Sequence, residues 1–274
     1  MNVVIGIDVG GSTTKIVGYT ENLTPVGFLC VTAKDPVTSV YGALGRFVSE
    51  NTLSLTDIAH IILTGVGASH FEGDIYNIAT TRVTEFEAIG RGGLHLAGKD
   101  KALVVSMGTG TAFVRADKNE IKHIGGSGVG GGTLIGLCGK LAGCTNFDSI
   151  VTLANDADLQ KVDLTVGDIS KNSIGKLDAA VTASNFGKLE DSATGGDLAL
   201  GVLNMVFQTV GMLAVFACEN DTVKDIVATG MLTQAPQAKS VFELISKMKD
   251  VNIIIPEKAI YATAIGAALS YLRK

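Results

Sequence analysis

Residues 8 to 15 read Asp8-Val9-Gly10-Gly11-Ser12-Thr13-Thr14-Lys15, between the apolar runs Val3 to Ile7 and Ile16 to Val17. β-type residues on both sides of adjacent glycines specify a hairpin. A turn almost free of side chains lets backbone N–H groups approach an anion closely. Ser12, Thr13 and Lys15 add hydroxyl and ammonium donors for phosphate oxygens, and Asp8 offers a carboxylate at the strand end for Mg2+, directly or through water. The spacing is neither G-x-x-x-x-G-K-[ST] nor G-x-G-x-x-G. An ordinary Gly-Gly hairpin is the plain alternative; the aspartate before the turn and the lysine after it argue against that reading.

The chain continues as an alternation of strands and helices. Val26 to Thr32 reads as a strand, Val37 to Ser49 as a helix by the spacing of Val40, Leu44, Phe47 and Val48, and Ile58 to Leu63 as a strand entering Thr64-Gly65-Val66-Gly67. Thr80 to Leu96 reads as a helix. Ala102 to Ser106 is a buried strand running into a second Gly/Thr turn, Met107-Gly108-Thr109-Gly110-Thr111, with strands expected at Ala112 to Ala116 and Glu120 to Ile124. The glycine loop from Gly125 to Thr133 feeds a helical run, Leu134 to Leu141, and helix N-termini of that kind bind anions. Further helices are expected at Phe147 to Ala154, Leu177 to Leu189, Asp197 to Glu219, Ala238 to Met248 and Ala259 to Leu272, with strands at Ile226 to Ala228 and Val251 to Ile255, and Asn155 to Gly175 at the surface. The second half thus echoes the first in architecture, which predicts an α/β protein with mixed sheets. No Pro/Ser-rich linker separates the halves, so two lobes flanking a cleft are expected, 1–105 and 106–274.

Composition narrows the partners. A chain of 274 residues buries a large core. Its net charge of -5, with no basic run longer than two residues, disfavours nucleic acid or an anionic membrane and leaves small molecules. Cys30, Cys138, Cys144 and Cys218 have no C-x-x-C spacing and no clustered histidines, so neither zinc nor a disulfide framework is expected and a reducing cytoplasm fits. No signal peptide is expected at the N-terminus. Leu198 to Cys218 is 21 residues without a charge, long enough to span a bilayer. Asn204, Gln208 and Thr209 interrupt it and Asp197 and Glu219 flank it, so a helix buried between lobes or subunits is the better reading.

Glycine turns near residues 10, 108 and 130, followed by Thr229-Gly230, occur in the order found in the sugar kinase/actin superfamily. The chain as a whole resembles the type II, eukaryotic-like pantothenate kinases. The resemblance is carried by Asp8-Val9-Gly10-Gly11-Ser12 to Lys15, Glu85-Phe86-Glu87-Ala88, Gly108-Thr109-Gly110-Thr111, Gly125-Gly126 with Gly130-Gly131-Gly132, and Ala183-Ser184-Asn185-Phe186-Gly187. It implies a two-lobed actin-like ATPase (ribonuclease H-like) fold with mixed sheets and a central nucleotide cleft, ATP and Mg2+ as cofactors, pantothenate as acceptor, and a homodimer through the helix 198–218.

The resemblance also implies site residues. Residues Asp8 to Lys15, with Thr109, Gly131, Gly132, Thr133, Leu134, Ile135, Phe147 and Met231, would hold the nucleotide. Glu85, Thr109, His123 and Gly125 would meet the acceptor. Sugar kinases of this superfamily often place a catalytic Asp in the second turn; here Ser106-Met107 stands there, and Glu85 matches the family's catalytic Glu. Glu87 competes locally, but two residues on a helix lie about 200° apart, so both cannot enter one cleft. Relatives usually carry an Arg where this chain has His123, after Lys122, so a fixed guanidinium is missing. Either Lys122 or a water substitutes, or the acceptor differs. An amino-sugar kinase and a non-kinase activator ATPase on the same fold are the alternatives.

Overall fold

A computed structural model describes residues 2–32, 35–170, 179–219 and 223–273 of the chain. All seven residues of β1 (Val3–Val9) are buried, so both faces of that strand are covered and it belongs inside a sheet. It is followed by β2 (Thr13–Thr20), β3 (Pro25–Thr32), α1 (Pro36–Glu50), β4 (Ile58–Thr64), β5 (Thr80–Arg82) and α2 (Glu85–Ala97). The sheet order is β3-β2-β1-β4-β5, antiparallel from β1 through β3 and parallel from β1 through β5. Val40, Leu44 and Phe47 of α1 cover one face, packing with Ile5, Ile7 and Val9.

The second sheet repeats this plan with β6 (Lys101–Met107), β7 (Thr111–Asp117), β8 (Ile121–Ser127), β11 (Asp225–Thr229) and β12 (Asn252–Ile254) in the order β8-β7-β6-β11-β12 and with the same pattern of strand directions. Where the first half inserts α1, the second inserts α3 (Gly131–Leu141), α4 (Phe147–Leu153), β9 (Leu164–Thr165), α5 (Val166–Ile169), β10 (Thr182–Ser184) and α6 (Gly195–Cys218). Between β11 and β12 lies α7 (Pro236–Lys249), and α8 (Ala262–Leu272) closes the chain.

Helix α6 is long and apolar enough to cross a membrane by length and composition. Here Val202, Leu203, Val206, Phe207 and Val210 fill the core of the second half. Its start is fixed by a capping box: the Thr194 hydroxyl accepts from Asp197 N, and the Asp197 carboxylate accepts from Thr194 N at 2.8 Å and from Asp158 N at 2.7 Å.

The helices α2 and α8 exchange halves. Ala88 of α2 packs with Ala264 and Ala268 of α8 beside Val4 and Ile62 of the first sheet, while Ile89 packs with Val104 and Val114 of the second. Two glycines permit the crossing: a Cβ on Gly92 would lie 1.8 Å from Ala262 O, and one on Gly266 would lie 1.8 Å from Ala88 O. The expected division at 105/106 can be set beside these elements. It falls inside β6, which begins at Lys101, and α8 returns to the first sheet.

Three expected elements differ. Residues 80 to 82 are not helical; they form β5 at the sheet edge, and α2 starts only after Thr84, whose hydroxyl accepts from Glu87 N. Of the helix expected from Leu177 to Leu189, residues 177 and 178 lie outside the described residues, and the remainder is β10 with turns. The cause is fully buried Asp163. Its carboxylate accepts from Phe186 N at 2.9 Å, Asn204 Nδ2 at 2.7 Å, and Thr182 Oγ1 and Asn185 Nδ2 at 3.1 Å, a tertiary set of bonds that overrides helical spacing. Val162 and Asp163, in the stretch expected at the surface, are fully buried for the same reason.

Candidate active site

The two hairpin turns meet across the cleft between the sheets. Gly10 N–H closes the β1–β2 turn onto Thr13 O at 3.0 Å, and Gly108 N–H closes the β6–β7 turn onto Gly110 O at 2.9 Å. The Cβ position of Gly11 is 3.7 Å from Thr109 Oγ1, so the turn tips face each other. The third glycine loop locks onto the second turn, with Gly131 N donating to Gly108 O at 2.9 Å and Gly132 N to Thr109 O at 2.8 Å. At the α3 N-terminus, where an anion is expected, the amides of Gly131 and Gly132 are thus already bonded within the chain. Residues Gly125, Gly126 and Ser127 belong to β8 rather than to the loop.

These turns enclose a cavity of ≈ 790 Å³. Of the expected residues, Asp8, Gly10, Gly11, Ser12, Thr13, Lys15, Glu85, Thr109, Gly131, Gly132, Ile135, Phe147 and Met231 line it. Others are placed elsewhere. Val9 and Leu134 are fully buried in the two cores. Thr14 accepts from Ser39 Oγ at 2.7 Å, and the Thr133 hydroxyl donates to Gly128 O at 2.9 Å. Neither Gly125 nor His123 lines the cavity.

One end of the cavity is charged. The Lys15 ammonium donates to Asp8 Oδ2 at 3.3 Å, directly across the β1–β2 register, and both residues are buried. A side chain at Gly65 would come within 2.7 Å of Asp8 Oδ1; the φ of +88° there independently favours glycine. Beside Asp8 in the sheet, Thr64 carries a buried hydroxyl without a hydrogen-bond partner among the described residues. Burial pushes the Glu85 carboxyl above its ordinary range, the nearby Asp8 charge adds to this, and Lys15 opposes it. Ser106 and Thr263 bring hydroxyls to the same cavity. At the other end stand Ile135, Gly136, Phe147, Met231 and Leu232, with Leu232 Cδ2 3.7 Å from the Cβ position of Gly131.

The first turn of α2 divides this cavity from a second one of ≈ 910 Å³. Glu85 faces the first; Glu87 lines the second and receives Arg91 Nη2 at 2.9 Å. His123 also lines the second, stacked on Phe86 with ring centroids 3.8 Å apart and planes 10° from parallel. Sequence reasoning omitted Val66, Ile260 and Thr263 as lining residues. Val66 was signalled by Thr64-Gly65, the same strand-end pair as Thr229-Gly230; Ile260 and Thr263 enter only because α8 crosses to the first sheet.

Known structures define the class. The activator of the 2-hydroxyisocaproyl-CoA dehydratase from Clostridium difficile with bound ADPNP matches with a TM-score of 0.72 at 15% identity, covering 99% of this chain and 94% of that one. A ROK family glucokinase from Streptomyces griseus in complex with glucose and AMPPNP matches at 0.62 and 11%, covering 97% and 98%. The fold is thus the two-lobed actin-like ATPase fold. The family model described as Fumble matches residues 101–269, and the chain belongs to that family, the type II pantothenate kinases. Relatives include the type II pantothenate kinase of Bacillus anthracis, 28% identical over 241 residues (84% of this chain, 83% of that one), and that of Oceanobacillus iheyensis, 28% over 275 residues (97% and 98%).

Proposed function

We propose that this chain phosphorylates pantothenate with ATP to give 4'-phosphopantothenate, the first step of coenzyme A biosynthesis. Family membership supplies the reaction class. The observation that carries the mechanism is the single cleft in which two glycine turns face each other beside a buried Glu85 of raised pKa. The nucleotide triphosphate lies between the turns, where the Gly11, Ser12 and Thr13 amides, the Ser12, Thr13 and Thr109 hydroxyls and Lys15 meet its oxygens. The primary hydroxyl of the acceptor attacks the γ-phosphorus, the bond to the β–γ bridging oxygen breaks, and ADP leaves. Glu85 accepts the hydroxyl proton, and its raised pKa makes it a stronger base than an exposed carboxylate.

Asp8, with its Oδ1 not paired to Lys15 and an unpartnered Thr64 hydroxyl alongside, suits a Mg2+ ion that keeps several waters and takes further oxygens from the nucleotide. When bound, that ion neutralises charge on the phosphates. His123 is committed to Phe86 and, like Gly125, stands outside the nucleotide cavity, so the acceptor is held by the β8 backbone at Gly126 and Ser127, with Lys122 or a water replacing the family arginine. Leu198, Met205, Met212, Leu213 and Phe216 form the less buried stripe of α6, and we assign that stripe to a homodimer interface of a cytoplasmic enzyme. A panel of pantothenate, its amides and amino sugars with ATP and Mg2+ tests the reading. Turnover of an amino sugar in preference to pantothenate, or ATP hydrolysis unaffected by either, would sink it.

A further inference from the structure

The two ends of the cleft offer a ligand different chemistry. Around the glycine turns there are amides, hydroxyls and charges, whereas the far end is closed by Ile135, Gly136, Phe147, Met231 and Leu232. None of these side chains has an N–H, O–H or C=O group. The main chain at that end is largely occupied as well. Gly230 N–H donates to Ala259 O at 3.1 Å, and Gly230 O accepts from Thr233 N at 3.2 Å and Thr233 Oγ1 at 2.7 Å. Ile135 and Gly136 lie in the second turn of α3, where amides are taken up by the helix ladder.

A site rejects a ligand strongly when the wrong ligand leaves buried polar groups of the site unpaired; an apolar pocket discriminates by size alone, by roughly 10–200-fold. Exchanging the amino group of adenine for the keto group of guanine breaks no side-chain pairing here, because none of these five residues offers one. We propose that the donor site selects the triphosphate and tolerates the base, so that purine and pyrimidine nucleoside triphosphates all serve as phosphoryl donors, each leaving as its diphosphate. The proposal rests on the phosphotransferase reading above.

The full-length protein is assayed with pantothenate and Mg2+ using ATP, GTP, ITP, CTP and UTP in turn. GTP and ITP are expected within about thirtyfold of ATP in kcat/KM; a larger preference for ATP overturns the proposal. Displacement of N-methylanthraniloyl-ADP by ADP, GDP and CDP measures the same property without an acceptor. Comparable displacement supports base tolerance, and displacement by ADP alone refutes it. Comparable displacement without pantothenate turnover from any donor would remove the pantothenate reading and leave this one standing. Phe147→Ala is expected to weaken all three diphosphates together by about tenfold, through lost stacking; a loss confined to ADP also overturns it.

Discussion

The two halves of the molecule share one plan and differ at the residues that face the cleft. β1 and β6 occupy the same place in their sheets, and their penultimate residues are Asp8 and Ser106. Across the hairpin from these stand Lys15 and Ala112. β4 and β11 end in Thr64-Gly65 and Thr229-Gly230, with glycine φ values of +88° and +92°, and each glycine packs against the end of the central strand, at Val9 and Met107. Where the first half has a carboxylate and an ammonium, the second has a hydroxyl and a methyl. The backbone is duplicated, therefore, and the charge is not. In the proposed mechanism, one half would polarise the reacting groups and the other would supply hydroxyls and an apolar bed. Glu85, the base in the proposed mechanism, stands on the helix that leaves the first sheet for the second, and it brings a carboxylate to the cavity that Ser106 also lines.

The sharpest break of this comparison is Glu85→Gln, expected to lower kcat by about 10²–10⁴-fold; retention of full transfer would end the base assignment. In the wild type, the acid limb of kcat/KM is expected above the ordinary carboxylate range, because the base works ionised and its pKa is raised. A carboxyl with a raised folded pKa makes stability fall as pH rises from its unfolded value through its folded one. Glu85→Gln is accordingly expected to raise the neutral-pH melting temperature slightly while lowering turnover.

The duplicated backbone is tested by Gly92→Ala and Gly266→Ala, each expected to cost about 3 kcal/mol in urea unfolding, since each forces a Cβ onto a carbonyl oxygen. Costs differing by more than about 1 kcal/mol would mean that the crossing is less symmetric than its geometry. Charge asymmetry is sharpened by Ser106→Asp, which places a second carboxylate in the cleft and is expected to raise KM for ATP by about tenfold with kcat less affected. An unchanged KM would mean that the second turn tolerates charge. The smallest effect is expected from Asp197→Ala, about 1 kcal/mol through the lost cap of α6. The Asp197 carboxyl is held at about 2, chiefly by amide donors from Asp158 and Thr194, so its contribution is fully present above the ordinary aspartate value and disappears as pH falls toward 2. A wild-type acid-unfolding curve superimposable on that of the variant would refute this.

Local chemistry made much of this legible from sequence. Strands ending in Gly-Gly or Gly-Thr-Gly have few alternatives to close hairpin turns, and the 3.6-residue spacing of Val40, Leu44 and Phe47 allows one helix face. Separation of Glu85 from Glu87 followed from helix geometry alone. What failed did so where bonds come from far along the chain. Asp163 draws Thr182, Asn185 and Phe186 out of helical spacing. The amides of Gly131 and Gly132 are taken by carbonyls some twenty residues earlier, and His123 stacks on a ring from another element. By itself the sequence determined the repeated strands, the glycine turns and the identity of the charged residues, because these depend on near neighbours. Only the tertiary structure decided that α8 crosses to the first sheet, that the cleft has one charged end and one apolar end, and which glycine amides remain free, because each of these is set by contacts between segments that local propensity cannot see.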